Sequence, residues 1–170
     1  MGAESDYLRV QDLYQPPLTP WAVRLTWFGL LPFLIALAAW GWGLRWPSAG
    51  DAPDLLAVGQ RAFLLYSAVI LSFLGGVRWG RAMAAGSASA GYVLAVLPSL
   101  WAFPALFLPP EWAVAALAAG FALALWFDTS ADPLPATPGF RRMRVGISAA
   151  VLVCHAAALA LLLLATPPAG

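Results

Sequence analysis

The sequence contains neither lysine nor asparagine, and its 170 residues include one cysteine and one histidine. A lone cysteine, Cys154, excludes an intramolecular disulfide and a cysteine-based metal site. A lone histidine, His155, excludes a bis-histidine haem pair and a histidine-based metal cluster within one subunit. We therefore expect no metal ion and no other cofactor.

Charged residues are equally scarce. They make up 10% of the chain, hydrophobic residues make up 62%, and the net charge is +1. Because there is no basic field to attract phosphates, nucleic acid is excluded as a partner. A phosphate-binding glycine loop is also missing, since Gly75 and Gly76 lie inside an apolar run. No nucleophile, base and orienting acid can be assembled, so an enzyme is the least favoured hypothesis.

The apolar residues form runs that are too long for the core of a soluble domain of this size. A bilayer core of about 30 Å needs about 20 apolar residues in a helix. The sequence therefore predicts an all-α integral membrane bundle of five transmembrane helices within residues 20–166, followed by a tail at 167–170. The predicted spans lie at about 21–46, 62–81, 91–108, 112–127 and 145–165.

The beginning of the first span is marked by two residues. Thr19 supplies a hydroxyl at the N-cap, and Pro20 follows at the first helical position. The span is long for a bilayer, so we expect it to tilt or to bend at Pro32. Residues 1–19 form a polar tail, for which a short helix on the membrane surface and a loosely ordered segment both remain open.

The arginines predict an orientation. All nine basic residues are arginine and alanine is abundant, which is typical of a G- and C-rich bacterial genome, so we expect a bacterial inner membrane. Five spans place seven arginines on the side of the N terminus and leave Arg45 and Arg61 on the other side. Because the cytoplasmic loops of membrane proteins carry an excess of arginine and lysine, the N terminus is predicted to be cytoplasmic and the C terminus outside.

Small residues recur at every fourth position of the second span. Side chains at this spacing share one helical face, and small ones let a second helix backbone come close in lipid. We expect the second span to be the central helix and this face to be its helix-packing stripe. The stripe consists of Ala68, Ser72, Gly76, Gly80 and Ala84.

Charged residues at the ends of three spans are predicted to meet at one membrane boundary. Arg78 ends the second span, Asp128 ends the fourth, and Arg144 opens the fifth, with Arg141 one turn earlier. A carboxylate at that depth is costly alone and should pair with an arginine, whose planar fork can bind it twice. Ion pairs that fix the helix ends are favoured over a site for an anion or a lipid headgroup.

Polar and helix-breaking residues are also predicted near the bilayer centre. Ser72, Pro98, Ser99 and His155 fall there when positions are counted from the ends of the spans. Proline frees a backbone carbonyl, and serine and histidine can supply hydrogen-bonding partners. A histidine at this depth can also move protons, but structural packing is favoured over a functional polar site.

One segment of the second span, YSAVILSFLGGVRWG at 66–80, resembles the signature of the uncharacterised membrane family designated domain of unknown function 3429. Its animal relatives include the mitochondrial transmembrane protein 69. Supporting similarities are GLLPFL at 29–34, LPSLWA at 97–102, the aspartate Asp128 and the RRMR run at 141–144. The resemblance implies a multi-pass membrane protein and implies no particular activity.

Two functions are weighed against each other. The favoured one is a non-catalytic membrane scaffold or assembly component, with membrane lipids, other membrane proteins or a second copy of the chain as partners. The alternative is a small transporter or channel subunit that acts as a homo-oligomer through the midplane polar site. A transporter needs a polar, water-accessible path from His155 to one membrane face, whereas a scaffold needs only packed side chains there.

Overall fold

The structure, a computed structural model, describes residues 19–47, 53–84, 86, 89–131 and 138–165. Over these ranges the chain is helical and has no strand, so the predicted all-α fold is confirmed. The predicted tails, apart from Thr19, lie outside the described residues. The helices are α1 (Pro20–Phe28), α2 (Leu31–Arg45), α3 (Leu55–Ala84), α4 (Ser89–Ala105), α5 (Pro110–Trp126) and α6 (Pro138–Ala165).

Four described helical segments are long and apolar enough to cross a membrane: Pro20–Arg45, Leu55–Ala84, Pro110–Thr129 and Pro138–Ala165. The chain is therefore a multi-pass membrane protein. A further apolar helix, α4, has 17 residues, and at 1.5 Å per residue it is about 26 Å long. It is slightly shorter than a bilayer core of about 30 Å, so the count of five spans stays a prediction.

The first predicted span is broken near its middle. Between α1 and α2 the chain turns at Gly29 and Leu30. Pro32 explains the break, because it has no backbone N–H and its ring clashes with the carbonyl four residues earlier, that of Phe28. The hydroxyl of Tyr66, on α3, donates a hydrogen bond of 3.0 Å to the Gly29 carbonyl at the break. The expected bend is thus present, and it lies just before the proline.

Helix α3 is the centre of the bundle, because it packs against α2, α4 and α5. Glycines let its backbone approach that of α2. A Cβ atom placed on Gly59 would lie 2.8 Å from the Cα atom of Trp40, and one placed on Gly43 would lie 2.7 Å from the Cα atom of Leu56. Side chains at these two glycines would force α2 and α3 apart.

The contact between α3 and α4 lies beside the predicted stripe. A Cβ atom on Gly75 would collide with the carbonyl oxygen of Ala95 on α4, whereas one on Gly76 or Gly80 would have nothing within 4 Å. Positions spaced by four drift by about 40° per step around a helix, so a stripe that is buried at Ala68 has turned outward by Gly76. The predicted stripe is therefore wrong for contacts within the chain at its glycines. Of its other members, Ser72 is half-buried and Ala84 is exposed.

Candidate functional site: an ion triad and an apolar groove

Helix α5 ends in a π-helical turn at Phe127–Ala131. Such turns are rare, and they frequently occur at functional sites. The hydroxyl of Thr129 stabilises the turn by donating a hydrogen bond of 2.8 Å to the Leu125 carbonyl. The turn carries Asp128 and brings its carboxylate between α3 and α6.

Asp128 forms ion pairs with two arginines from two other helices. Its Oδ1 atom lies 3.3 Å from Nη1 of Arg78 on α3, and its Oδ2 atom accepts a hydrogen bond of 2.7 Å from Nε of Arg144 on α6. We call these three residues the ion triad. Their side chains are only 11%, 13% and 12% exposed for Arg78, Asp128 and Arg144 respectively. The structure therefore brings together the three charges that the sequence placed at one boundary.

The ion triad has two positive charges and one negative charge, so a net positive charge remains. In the part of the chain that the structure describes, Arg144 uses Nε for its hydrogen bond to Asp128 and its two η nitrogens make none. The triad joins the ends of α3 and α5 to the first part of α6. It can therefore fix the helix ends and still have donors for a further anion.

One aromatic side chain contacts the ion triad, and others lie beside its members in the sequence. The guanidinium of Arg78 lies 5.4 Å from the ring centroid of Phe127, and it donates a long hydrogen bond of 3.4 Å to the Phe127 carbonyl. The neighbouring Trp79 packs edge-on against Tyr92, with 4.9 Å between ring centroids, and Trp126 is exposed. Tryptophan and tyrosine concentrate at membrane–water interfaces. These rings are the type expected where lipid headgroups meet hydrocarbon, so the ion triad is still predicted to lie at that boundary.

An apolar groove of about 320 Å³ lies between α4 and α5, and Arg78 lines it. We call it the α4–α5 groove. Leu97 and Trp101 of α4 form part of its lining, and Gly120 contributes from α5. A Cβ atom on Gly120 would lie 2.9 Å from Cδ1 of Trp101, so the glycine makes room for the indole. The Trp101 Nε1–H group donates a hydrogen bond of 2.7 Å to the Ala116 carbonyl, which holds α4 against α5.

Four charged residues were predicted at one membrane boundary, and Arg141 is the one of them that lies outside the ion triad. It is exposed and lines a second, wider cavity of about 540 Å³ at the beginning of α6, together with Pro138, Arg142, Val145 and Gly146. The sequence placed Arg141 and Arg144 on one membrane boundary. Of these two arginines, Arg144 is the one whose side chain contacts Asp128.

His155 is buried in an aromatic cage, with 1% of its surface exposed. The ring centroids of Phe63, Phe121 and Phe33 lie 4.9, 5.2 and 6.0 Å from that of the imidazole. Its Nδ1 atom lies 2.9 Å from the Val151 carbonyl. Because a carbonyl only accepts, the proton of the neutral ring belongs on Nδ1. The Nε2 atom has no hydrogen-bond partner in the described residues.

Among the described residues, no hydrogen bond or ring contact joins the members of the predicted midplane site. Pro98 lines the α4–α5 groove, whereas the polar and ring contacts of His155 are with Val151 and the aromatic cage. Across the described ranges, no hydrogen bond joins Ser72 or Ser99 to His155. Counting along a span gives a residue's depth but not the helix face on which it lies, so the joint midplane site stays a prediction.

Sequence reasoning missed two hydroxyl groups and the groove. Ser67 is fully buried and donates a hydrogen bond of 2.8 Å to the Phe63 carbonyl in the preceding turn. The hydroxyl of Tyr66 reaches Gly29 at the break between α1 and α2. A tyrosine inside an apolar span, in a chain whose first span contains a proline, was a usable signal for the second contact. The α4–α5 groove had no such signal, because it depends on how two helices pack.

The profile of the family described as Protein of unknown function (DUF3429) matches residues 18–160. The chain belongs to this family. The matched part of this DUF3429 protein includes the ion triad, the α4–α5 groove and the aromatic cage. No curated protein and no solved structure matches the chain. The likeness to transmembrane protein 69 stays a prediction.

Proposed function

We propose that this DUF3429 protein is a non-catalytic scaffold or assembly component of a membrane, with other membrane proteins or a second copy of the chain as partners. The observation that carries the proposal is the packing around His155. A proton or ion pathway needs polar groups or water beside such a residue. The cage places the rings of Phe33, Phe63 and Phe121 there instead, as expected for an interior that holds the bundle together.

A scaffold also needs a face that a partner helix can cover. One face of α3 presents Val69, Phe73, Gly76 and Gly80, all of which are exposed. Its two glycines would let the backbone of a partner helix approach closely, and such contact supplies much of the packing energy between helices in lipid. We propose this partner face of α3 as the place where an assembly forms.

Site-specific photocrosslinking tests the scaffold proposal in the native membrane. A photoreactive phenylalanine derivative replaces Phe73 on the partner face or, as the control, Phe103 on α4; the two side chains are 62% and 66% exposed. We expect a discrete protein adduct from position 73 and none from position 103. A Gly76→Leu change should remove that adduct without unfolding the chain, because a Cβ atom at this exposed position has nothing within 4 Å.

The mass of the adduct shows whether the partner is a second copy or another protein. Equal adducts from both positions, or none from either, would contradict the assignment of the partner face. An adduct that survives Gly76→Leu would show that close backbone contact is not how the partner is held.

A small transporter or channel subunit that acts as a homo-oligomer is the second candidate, and one observation favours it. The Nε2 atom of His155 is buried with no partner in the described part of the chain, so its lone pair is available to a polar ligand or to water. Proton flux into liposomes that contain the purified protein distinguishes the two candidates. A scaffold should give no more flux than empty liposomes. Flux that is lost in His155→Phe and kept in Cys154→Ala would favour the transporter.

A further inference from the structure

We infer that the ion triad and the α4–α5 groove together bind an anionic phospholipid, with the headgroup phosphate at Arg78 and an acyl chain in the groove. The inference goes beyond the scaffold proposal, and neither depends on the other. It rests on three features: the charge left over in the triad, the depth of the triad, and the position of Arg78 on the groove wall.

The charge balance of the ion triad favours an anion. Asp128 neutralises one of two guanidinium groups, at distances of 3.3 Å and 2.7 Å. The η nitrogens of Arg144 make no hydrogen bond within the described ranges, and the bond from Arg78 to the Phe127 carbonyl is long, at 3.4 Å. A phosphate could accept hydrogen bonds from these donors and neutralise the remaining charge.

The depth of the site matches a lipid headgroup. Trp79 follows Arg78 in the sequence and packs against Tyr92, and Trp126 packs against Phe127, whose ring lies beside Arg78. Tryptophan and tyrosine prefer the level at which headgroups meet hydrocarbon. A basic pocket between membrane helices at this level is a known type of site for acidic headgroups. The phosphate of a lipid in the bilayer would therefore lie at the same depth as the ion triad.

The groove distinguishes a lipid from a small free anion. Apart from Arg78, the described side chains that line it are apolar. Leu97 and Leu123 lie in its lining and are also exposed, so the groove opens sideways towards the bilayer and an acyl chain can enter. Because one guanidinium belongs to both the ion triad and the groove wall, it can hold the charged end of a molecule whose apolar part fills the groove.

Native mass spectrometry of the full-length protein in a neutral detergent tests this site. The delipidated protein is titrated with dioleoyl phosphatidylglycerol, which is anionic, or with dioleoyl phosphatidylcholine, which has the same chains and no net charge. We expect one tightly held phosphatidylglycerol per chain, with an affinity about fivefold above that of phosphatidylcholine, the effect expected of one basic residue at an acidic headgroup. Equal affinities would overturn the inference.

Charge variants locate the headgroup. Arg78→Gln should abolish the preference for phosphatidylglycerol, whereas Arg142→Gln, which removes the same charge from an exposed position outside the ion triad, should keep it. Asp128→Asn should increase the preference, because a second positive charge is then uncompensated. If Arg78→Gln does not fold, the lipid preference of Asp128→Asn tests the position of the headgroup instead. An equal loss in Arg78→Gln and Arg142→Gln, or no increase in Asp128→Asn, would overturn the inference.

Groove variants locate the acyl chain. Leu97→Trp fills the groove from an exposed position and should weaken the binding of both lipids. The control, Val93→Trp, enlarges another exposed side chain of α4 and should leave both affinities unchanged. Inorganic phosphate should compete poorly. Displacement of phosphatidylglycerol by millimolar phosphate, together with no effect of Leu97→Trp, would identify a free-anion site and overturn the assignment to a lipid.

Discussion

At the scale of single residues, Asp128 faces Arg78 at 3.3 Å and Arg144 at 2.7 Å. Asp128→Asn keeps the shape of the side chain but leaves two mostly buried arginines without a counter-ion. An exposed pair contributes less than about 1 kcal/mol, and breaking a fully buried one costs about 3–5 kcal/mol. Because the ion triad is mostly buried but lies at a hydrated boundary, we expect the free energy of unfolding in detergent to fall by about 2 kcal/mol.

Double-mutant cycles show whether that loss comes from the two ion pairs. Asp128→Asn combined with Arg144→Gln, or with Arg78→Gln, should cost less than the sum of the single changes. Arg142→Gln is the matched control, since Arg142 is exposed and outside the ion triad, and its effect should be additive. Strict additivity with both Arg78 and Arg144 would mean that Asp128 pairs with neither of them in solution.

Tyr66 is a second residue whose polar atom makes a defined contact, the hydrogen bond of 3.0 Å to the Gly29 carbonyl. We expect Tyr66→Phe to lower the thermal stability of the purified protein by an amount equivalent to about 0.6–1 kcal/mol, the usual range for such a bond in a membrane protein. Tyr92→Phe is the control, because the described contact of Tyr92 is with the ring of Trp79. Equal losses in the two variants would show that the hydroxyl of Tyr66 contributes nothing specific.

At the scale of elements, two adjacent glycines of α3 should respond in opposite ways to alanine. Gly75→Ala places a methyl group against the Ala95 carbonyl of α4, so we expect a loss of about 1–3 kcal/mol from overpacking. At Gly76 a methyl group meets nothing, and the better helix propensity of alanine should stabilise by up to about 1 kcal/mol. The free energy of unfolding of the protein in detergent is measured for both variants. A larger loss of stability in Gly76→Ala than in Gly75→Ala would support the stripe predicted from the sequence.

At the scale of the whole molecule, the contact between Arg78 and Asp128 bears on the number of spans. Arg78 lies near the end of α3 and Asp128 follows the end of α5. If α3 and α5 both cross the membrane and end on the same side, α4 must return the chain across the membrane between them. The ion pair therefore favours five crossings, although α4 has only 17 residues. A helix of this length fits if the bilayer thins locally or flanking residues reach the interface.

Reporter fusions test the crossings and the orientation together. With five spans and a cytoplasmic N terminus, fusions after Ala49 and Gly170 should report the outside, and fusions after Gly86 and Pro138 the cytoplasm. If α4 does not cross, the fusions at Pro138 and Gly170 exchange sides while the other two stay unchanged. If only the orientation is wrong, all four reports are reversed. The pattern therefore shows which of the two predictions has failed.

The sequence by itself determined the all-α class of this protein and which of its charged residues come together. Long apolar runs permit helices in lipid and little else, because every backbone polar group must be satisfied within the segment. Pro32 broke the first span where its missing N–H requires it. The RRMR run and the end of α5 were placed correctly enough to bring Arg78, Asp128 and Arg144 together. A charge in a membrane has few partners, so depth alone identified them.

Only the tertiary structure decided which helix faces meet. Positions spaced by four drift by about 40° around a helix, so the glycine that contacts α4 is Gly75 and not Gly76. The sequence does not show on which side of α3 the helix α4 packs. The α4–α5 groove could not be predicted for the same reason. Pro98 and His155 have similar predicted depths, but Pro98 lines the groove and His155 contacts the aromatic cage. Depth follows from each span's own hydrophobicity, whereas the rotation of a helix about its axis is fixed by side chains from the other helices.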